Sequence, residues 1–386
     1  MPSLPIEILL HIATYLAPLD QESLLQAIPN IAHLFTFCHF GSTDENGNTI
    51  LHLQARAHHT PACAFRARKA PCFPAILASS QRSYLHPRNR DGVTPLMYAA
   101  AAHNLWFLRL LLAKDPDSIN MADNEGATAL WHAMGAGHVK GIALLLEQLS
   151  IDVNHRMVVK DDYYSGIEVT PIISVLSGGL GPYDVVSLLV NHPAIDLTCV
   201  DGDGRNPLML AIQGNREDSL VRDILERRRS AITAATVSSV NPSDTAIVVS
   251  GSFDINAVDR HGDTALQLAA QENDFESLKL LLSEEGIEID PPGHGSEPLL
   301  LRATHHLAIE AILAHSSVDV DQVDHLGRSA LSDAALRDDH KSALLLLRYG
   351  ARPDLADSSG LTPIARAATL MHGDMVELLE KAIGII

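Results

Sequence analysis

Short leucine-rich runs recur along the chain, each preceded by a stretch of small residues. Leu278-Lys-Leu-Leu-Leu282 and Leu344-Leu-Leu-Leu347 are examples, and pairs such as Ala99-Ala100 and Ala269-Ala270 mark the small stretches. Upstream of each stands one short signature: Gly92-Val-Thr-Pro-Leu96, Gly126-Ala-Thr-Ala-Leu130, Gly262-Asp-Thr-Ala-Leu266, Gly327-Arg-Ser-Ala-Leu331 and Gly360-Leu-Thr-Pro-Ile364. Weaker copies begin at Thr49, Thr170, Asn206 and Glu297. The Thr-equivalent positions are 49, 94, 128, 170, 206, 264, 297, 329 and 362, so the period is close to 33 with three insertions. Such a period denotes a repeat architecture in which stacked neighbours bury the apolar faces that one unit cannot bury alone.

Each copy predicts a turn, a small-residue helix and a leucine-rich helix. Thr caps a helix N-terminus, and Pro fits its first turn, where the backbone N–H has no partner. The Gly two residues before the Thr permits a left-handed turn residue. Asp91, Asp123, Asp201, Asp259, Asp324 and Asp357 are read as the matching turn-forming acids.

Thr94-Pro95-Leu96, Thr362-Pro363-Ile364 and Thr49-Ile50-Leu51-His52 resemble the Thr-Pro-Leu-His motif of ankyrin repeats. The resemblance covers roughly residues 44 to 386. It implies an all-α ankyrin-repeat solenoid of about nine helix-turn-helix units with β-turn fingers, working by binding other proteins. Most copies replace the motif's histidine, for instance by Met97, Trp131 or Gln267.

The departures from the period are where specificity is expected, since loops carry function. The stretch from Asn154 to Thr170 is twice as long as that from Asn120 to Thr128, so an insertion near 155–166 enlarges one finger and offers Tyr163 and Tyr164. Residues 230–252, rich in Ser and Thr, predict a mobile loop, and Arg227-Arg228-Arg229-Ser230 at its start resembles a basic-directed kinase site. A third insertion near 56–85 holds Pro61, Pro71 and Pro74 around Arg66, Arg68 and Lys69.

Residues 1–40 do not fit the repeat, which leaves an array over 41–386. Pro5 opens a helix on which Ile8, Leu9, Ile12 and Leu16 follow helical spacing; Pro18 ends it, and two short helices follow. Leu4-Pro5-Ile6-Glu7-Ile8-Leu9 at the head of this segment resembles an F-box. An F-box joined to a long ankyrin array is similar to a group of fungal proteins. The resemblance implies docking on the Skp-type adaptor of a cullin–RING ubiquitin ligase through Leu4, Pro5, Ile8, Leu9, Ile12, Leu16 and Leu24. The alternative reading is a cap that merely shields the first repeat, in a scaffold or inhibitor independent of any ligase.

Composition narrows the partners. The chain has a formal net charge of −19 and 4% aromatic residues, which argues against a nucleic-acid footprint and fits thin helical layers. Cys38, Cys63, Cys72 and Cys199 lack paired spacing and read as reduced thiols. With no signal-like leader and no run of apolar residues long enough for a membrane span, a cytoplasmic or nuclear location is expected. No zinc, phosphate-binding or nucleophile motif occurs, so neither enzyme activity nor a metal or other cofactor is expected. His103, His138 and His372 fall in inter-helix turns as structural residues. The expected target contacts are Asn124, Glu125, Trp131, Tyr163, Tyr164, Arg260, His261, His325 and Leu326.

Overall fold

A computed structural model of the chain describes residues 43–56, 86–159, 166–178, 183–214, 218–238, 253–290, 297–315 and 318–384. The F-box-like segment, Tyr163, Tyr164, the prolines and basic residues of the first insertion, and residues 239–252 lie outside them. The chain divides into two compact units, residues 1–195 and 196–386.

The first unit contains α1 (Ile50–Arg56), α2 (Pro95–Ala101), α3 (Leu105–Lys114), α4 (Ala129–Gly135), α5 (Val139–Leu146), α6 (Pro171–Leu176) and α7 (Tyr183–Val190). Strands β1 (Met157–Val159) and β2 (Ile167–Val169) pair antiparallel between α5 and α6, with Val158 opposite Glu168. The second unit contains α8 (Pro207–Gln213), α9 (Asp218–Ser238), α10 (Ala265–Gln271), α11 (Phe275–Leu282), α12 (Leu299–Arg302), α13 (His306–Leu313), α14 (Ala330–Arg337), α15 (His340–Arg348), α16 (Pro363–Thr369) and α17 (Gly373–Ile383).

The repeat phase follows from capping. Thr94, Asn206, Thr264, Ser329 and Thr362 each precede a first helix and accept the backbone N–H three residues on. Thr128 and Thr170 occupy the same place without a side-chain cap. In the copy read as starting at Glu297, the cap is Pro298, one residue later, because Asp290 Oδ1 takes the Leu299 N–H at 2.8 Å. Ala99, Ala100, Ala269 and Ala270 are fully buried, which lets first helices approach one another through backbone-sized surfaces. Leucines on the second helices, such as Leu108, Leu278 and Leu346, complete the core.

The predicted loop at 230–252 is corrected over its first part: α9 stays helical through Ser238. Ser and Thr favour loops because their hydroxyls compete for backbone groups. Here Thr233 instead returns its hydroxyl to the Arg229 carbonyl at 2.8 Å, within the helix, and Ala231 is buried. The kinase-site motif Arg227 to Ser230 sits within this helix, not at the start of a loop. Arg228 and Arg229 both pair with the buried Glu284, and Arg228 Nε donates to the Phe253 carbonyl. Arg228 is enclosed by these contacts, while Arg229 and Ser230 stay exposed on a helix rather than on the expected loop.

Candidate interaction surface at the finger tips

The finger before each first helix is built around one side chain. Oδ1 of Asp44, Asn89, Asp123, Asp201, Asp259, Asp324 and Asp357 accepts the N–H groups two and four residues ahead, folding the turn back on itself. Asn89, not Asp91, fills this place in its repeat. Asp91 sits two residues further on, exposed at the tip.

The second carboxylate oxygen usually meets a donor from the same fold. Asp123 pairs with His132 at 2.8 Å, Asp324 with Arg328 at 2.6 Å and Asp357 with Arg366. Burial raises Asp324, but the hydrogen bonds from Arg328 outweigh it and hold the carboxyl below its ordinary range. At Asp357 the Leu361 N–H does most to lower the carboxyl, helped by Ser359 and Arg366. These charges are spent inside the fingers, so they say little about a partner.

Fingers are also tied tip to tip. In the first unit the Arg90 N–H donates to the Asn46 carbonyl at 3.0 Å, and the Asn124 N–H to the Asp91 carbonyl at 2.9 Å. In the second unit Arg260 donates to Asp203 at 2.8 Å, and Ser358 to Leu326 at 2.9 Å. The approach is close enough to demand glycine: Gly92 has φ of 78°, and a Cβ there would lie 2.8 Å from the Asn124 nitrogen.

Side chains at the tips therefore project from a fixed backbone. Glu125, Arg260, His261, His325 and Leu326 are exposed, as the sequence reading expected. Asn124 is exposed too, although its amide donates to the Arg90 carbonyl at 2.9 Å and is partly committed to the fold. Trp131 is the correction. It is 3% exposed, and its indole N–H donates to the His155 carbonyl at 3.0 Å, so a target does not reach it.

The Trp131 position has a common role. In the first repeat His52 Nε2 meets the Val93 carbonyl at 2.9 Å, and in the second unit Gln267 Nε2 donates to Glu297 at 3.4 Å. Histidine, glutamine and tryptophan all carry an N–H across to the next finger. The sequence reading also missed Val323, 42% exposed beside Leu326; its bridge to Ser329 makes it a strand-like residue whose side chain faces out.

The inter-helix turns use the same logic. His138 Nδ1 donates to the Ala100 carbonyl at 2.9 Å, His372 Nδ1 to Ala335 at 3.2 Å and His103 Nε2 to Ala136 at 3.0 Å. All three are structural. Among the described residues no set of three His, Cys, Asp or Glu side chains could hold a metal ion. No described helix is long and apolar enough to cross a membrane.

Family models find ankyrin repeats in both units. A family model for ankyrin repeats in three copies matches residues 62–157, and a single ankyrin-repeat model matches 261–293. Over 201 residues the chain is 30% identical to the neurogenic locus notch homolog protein 1 of Mus musculus, covering 44% of this chain and 8% of that protein. It is 25% identical over 232 residues to the B-cell lymphoma 3 protein homolog of Mus musculus, covering 56% of this chain and 46% of that one. Among solved structures, the ankyrin repeat domain of Bcl-3 aligns with 74% of this chain and 100% of its own, at 21% identity and a TM-score of 0.39. The chain thus spans only a small part of the notch proteins and about half of the B-cell lymphoma 3 homologue. It carries ankyrin repeats in both units, with the all-α ankyrin-repeat solenoid fold. Ankyrin repeats are protein–protein interaction modules and are generally not enzymes.

Proposed function

We propose that this chain is a substrate receptor of a cullin–RING ubiquitin ligase, with residues 1–40 engaging a Skp-type adaptor and the ankyrin array holding the target protein. The target arm rests on one observation: finger tips locked to each other through their backbones present Glu125, Arg260, His261, His325 and Leu326 to solvent. A surface fixed before binding loses little conformational entropy when a partner docks. Tyr163 and Tyr164 belong to the same proposal, on the insertion between β1 and β2. The adaptor arm rests on the F-box-like pattern of Leu4, Pro5, Ile8, Leu9, Ile12, Leu16 and Leu24. A receptor of this kind acts in the cytoplasm or nucleus.

Co-purification with a Skp-type adaptor tests the ligase arm. The wild-type chain retains the adaptor, and the double change Leu9→Asp with Ile12→Asp loses it, because two carboxylates would be carried into an apolar contact. Failure of the wild type to bind, or equal binding by the variant, leaves a ligase-independent ankyrin scaffold whose first helices only cap the array.

A further inference from the structure

We infer that the first unit is a mild-acid switch, because two of the bridges between its repeats, at His52 and His138, are buried imidazoles that fit in their neutral form, while the described bridges of the second unit are chiefly arginine–carboxylate pairs and an amide. This goes beyond the binding role and does not depend on the ligase.

The geometry at His52 fixes its protonation. The Thr49 backbone N–H donates to Nδ1 at 3.0 Å, so Nδ1 carries no proton and Nε2–H makes the bridge to the Val93 carbonyl. A second proton on Nδ1 would give up the Thr49 N–H bond and leave the Thr49 hydroxyl, 2.9 Å away, as its acceptor, on a ring only 1% exposed where a charge is costly to enclose. Asp44, on the preceding finger, is the charged group that acts on it, and Tyr98 of α2 meets it edge-on at 5.7 Å. Arg88, Arg90, Arg109 and Lys114, on the finger and helix packed beside it, do not enter its titration.

His138 spends its Nδ1 proton on Ala100 and is 5% exposed. Its ring lies 4.5 Å from that of His103, so a positive charge there would face a second imidazole. Lys140 of its own helix, Arg109 and Lys114 of α3, His132 of α4 and Asp184 of α7 do not contribute. Burial, the largest cause, holds both His52 and His138 below the ordinary histidine value of 6.5. His103 and His155 also place Nε2 on a carbonyl of the adjoining repeat, at 3.0 and 3.1 Å, but His103 is exposed and His155 half-buried beside Asp152, so the switch rests on His52 and His138.

The second unit is bridged differently. Arg228 and Arg229 hold Glu284, Arg302 holds Asp263 at 2.6 Å, and Asn256 holds the Gly286 carbonyl at 2.8 Å. His372 also bridges to the Ala335 carbonyl, at 3.2 Å, and it is only half-buried.

The sign follows from linkage. A histidine depressed in the fold binds its proton more readily when unfolded, so its stabilisation is complete above about pH 6.5 and is lost as pH falls through the folded value. Between about pH 6.5 and the folded value, each such histidine raises the opening constant by at most about tenfold per pH unit, and below the folded value the effect levels off. Release of His52 would remove one of the ties on the finger that carries Arg90 and Asp91 and so raise how often that finger opens.

The chain supplies its own non-titrating replacements. Gln267 does the work of His52, and Asn104, whose amide donates to the Gln54 carbonyl at 3.1 Å, that of His138. The test is backbone hydrogen exchange on the full chain at pH 7.5 and 5.5, corrected for intrinsic rates, with His52→Gln/His138→Asn alongside. The expected result is that opening of α1, α2 and α4 in the wild type rises at least tenfold at the lower pH relative to α10 and α14, and that the variant removes most of the difference. A parallel change in both units, no change, or an equal response in the variant overturns the inference. Should the variant not fold, the wild-type side-chain titration by NMR decides: His52 and His138 must titrate below the ordinary histidine value of 6.5, and midpoints at that value sink the idea.

Discussion

Glu284→Ala should destabilise the second unit by about 3 kcal/mol, the low end of what removing one member of a buried ion pair costs. Glu284 is 6% exposed and receives Arg228 at 3.5 Å as well as Arg229. Arg228 is itself 9% exposed, so without Glu284 its charge stays enclosed with, among the described residues, the Phe253 carbonyl as its remaining acceptor. The cost lies mainly in that orphaned guanidinium. Arg228→Met in the same background should therefore recover part of the loss, since Met fills similar volume without charge. The exposed pair Lys279–Glu276, at 3.6 Å with both side chains 60% exposed, supplies the control. Glu276→Ala should leave the denaturation midpoint unchanged, because solvent screens such pairs. Urea unfolding followed with hydrogen exchange in α9 and α11 measures all three. A Glu284→Ala midpoint equal to that of Glu276→Ala would show that the clamp is ornamental.

The second large effect is at the fingers. Gly92→Ala should cost about 3 kcal/mol, combining roughly 1–2 for a side chain at positive φ with a steric term of similar size. The steric term comes from the Asn124 backbone of the next finger, 2.8 Å from the added carbon. Gly126 has φ of 87° and nothing nearer than Met157 at 4.0 Å, so Gly126→Ala should lose only the conformational part. The gap between the two variants isolates finger-to-finger contact from backbone strain. Equal losses would mean that the fingers yield freely, and a yielding surface could not present Asn124 and Glu125 in a fixed arrangement.

What could be read from the chain divides along physical lines. First-helix starts were legible because Thr, Ser or Asn before an apolar run caps a helix by local chemistry, whatever packs outside it. The finger acid in the second repeat was misplaced because Asp91 adjoins Gly92 and draws the eye, whereas the turn is closed from three residues before the glycine, by Asn89. Only the repeated i+2 and i+4 hydrogen bonds settle that register. The start at Pro298 was missed by one residue because Asp290 caps from a distance, across the finger.

Long-range partners account for the remaining differences. Nothing local in Arg227-Arg228-Arg229-Ser230 reveals Glu284, so a free basic motif was a fair reading of residues that are clamped in the fold. Trp131 stood out because it takes the motif's histidine position, where target contact and packing between repeats were equally open readings; the structure has it packed between repeats. Its burial depends on the backbone of His155, delivered by the insertion that the sequence reading had treated as a separate feature. Exposure at Arg260, His261, His325 and Leu326 was legible for the opposite reason: in a two-residue tip between a turn-closing Asp and a glycine, side chains have nowhere to go but out.

The central claim is that adaptor and target are held by separate parts of one chain. Quantitative affinity enrichment from cells measures it, comparing the wild type with a deletion of residues 1–40 and with Arg260→Glu/Leu326→Asp. The account predicts a reciprocal pattern, in which the deletion loses the adaptor and keeps the target while the finger variant loses the target and keeps the adaptor. A target still captured at wild-type level by the folded finger variant would contradict it.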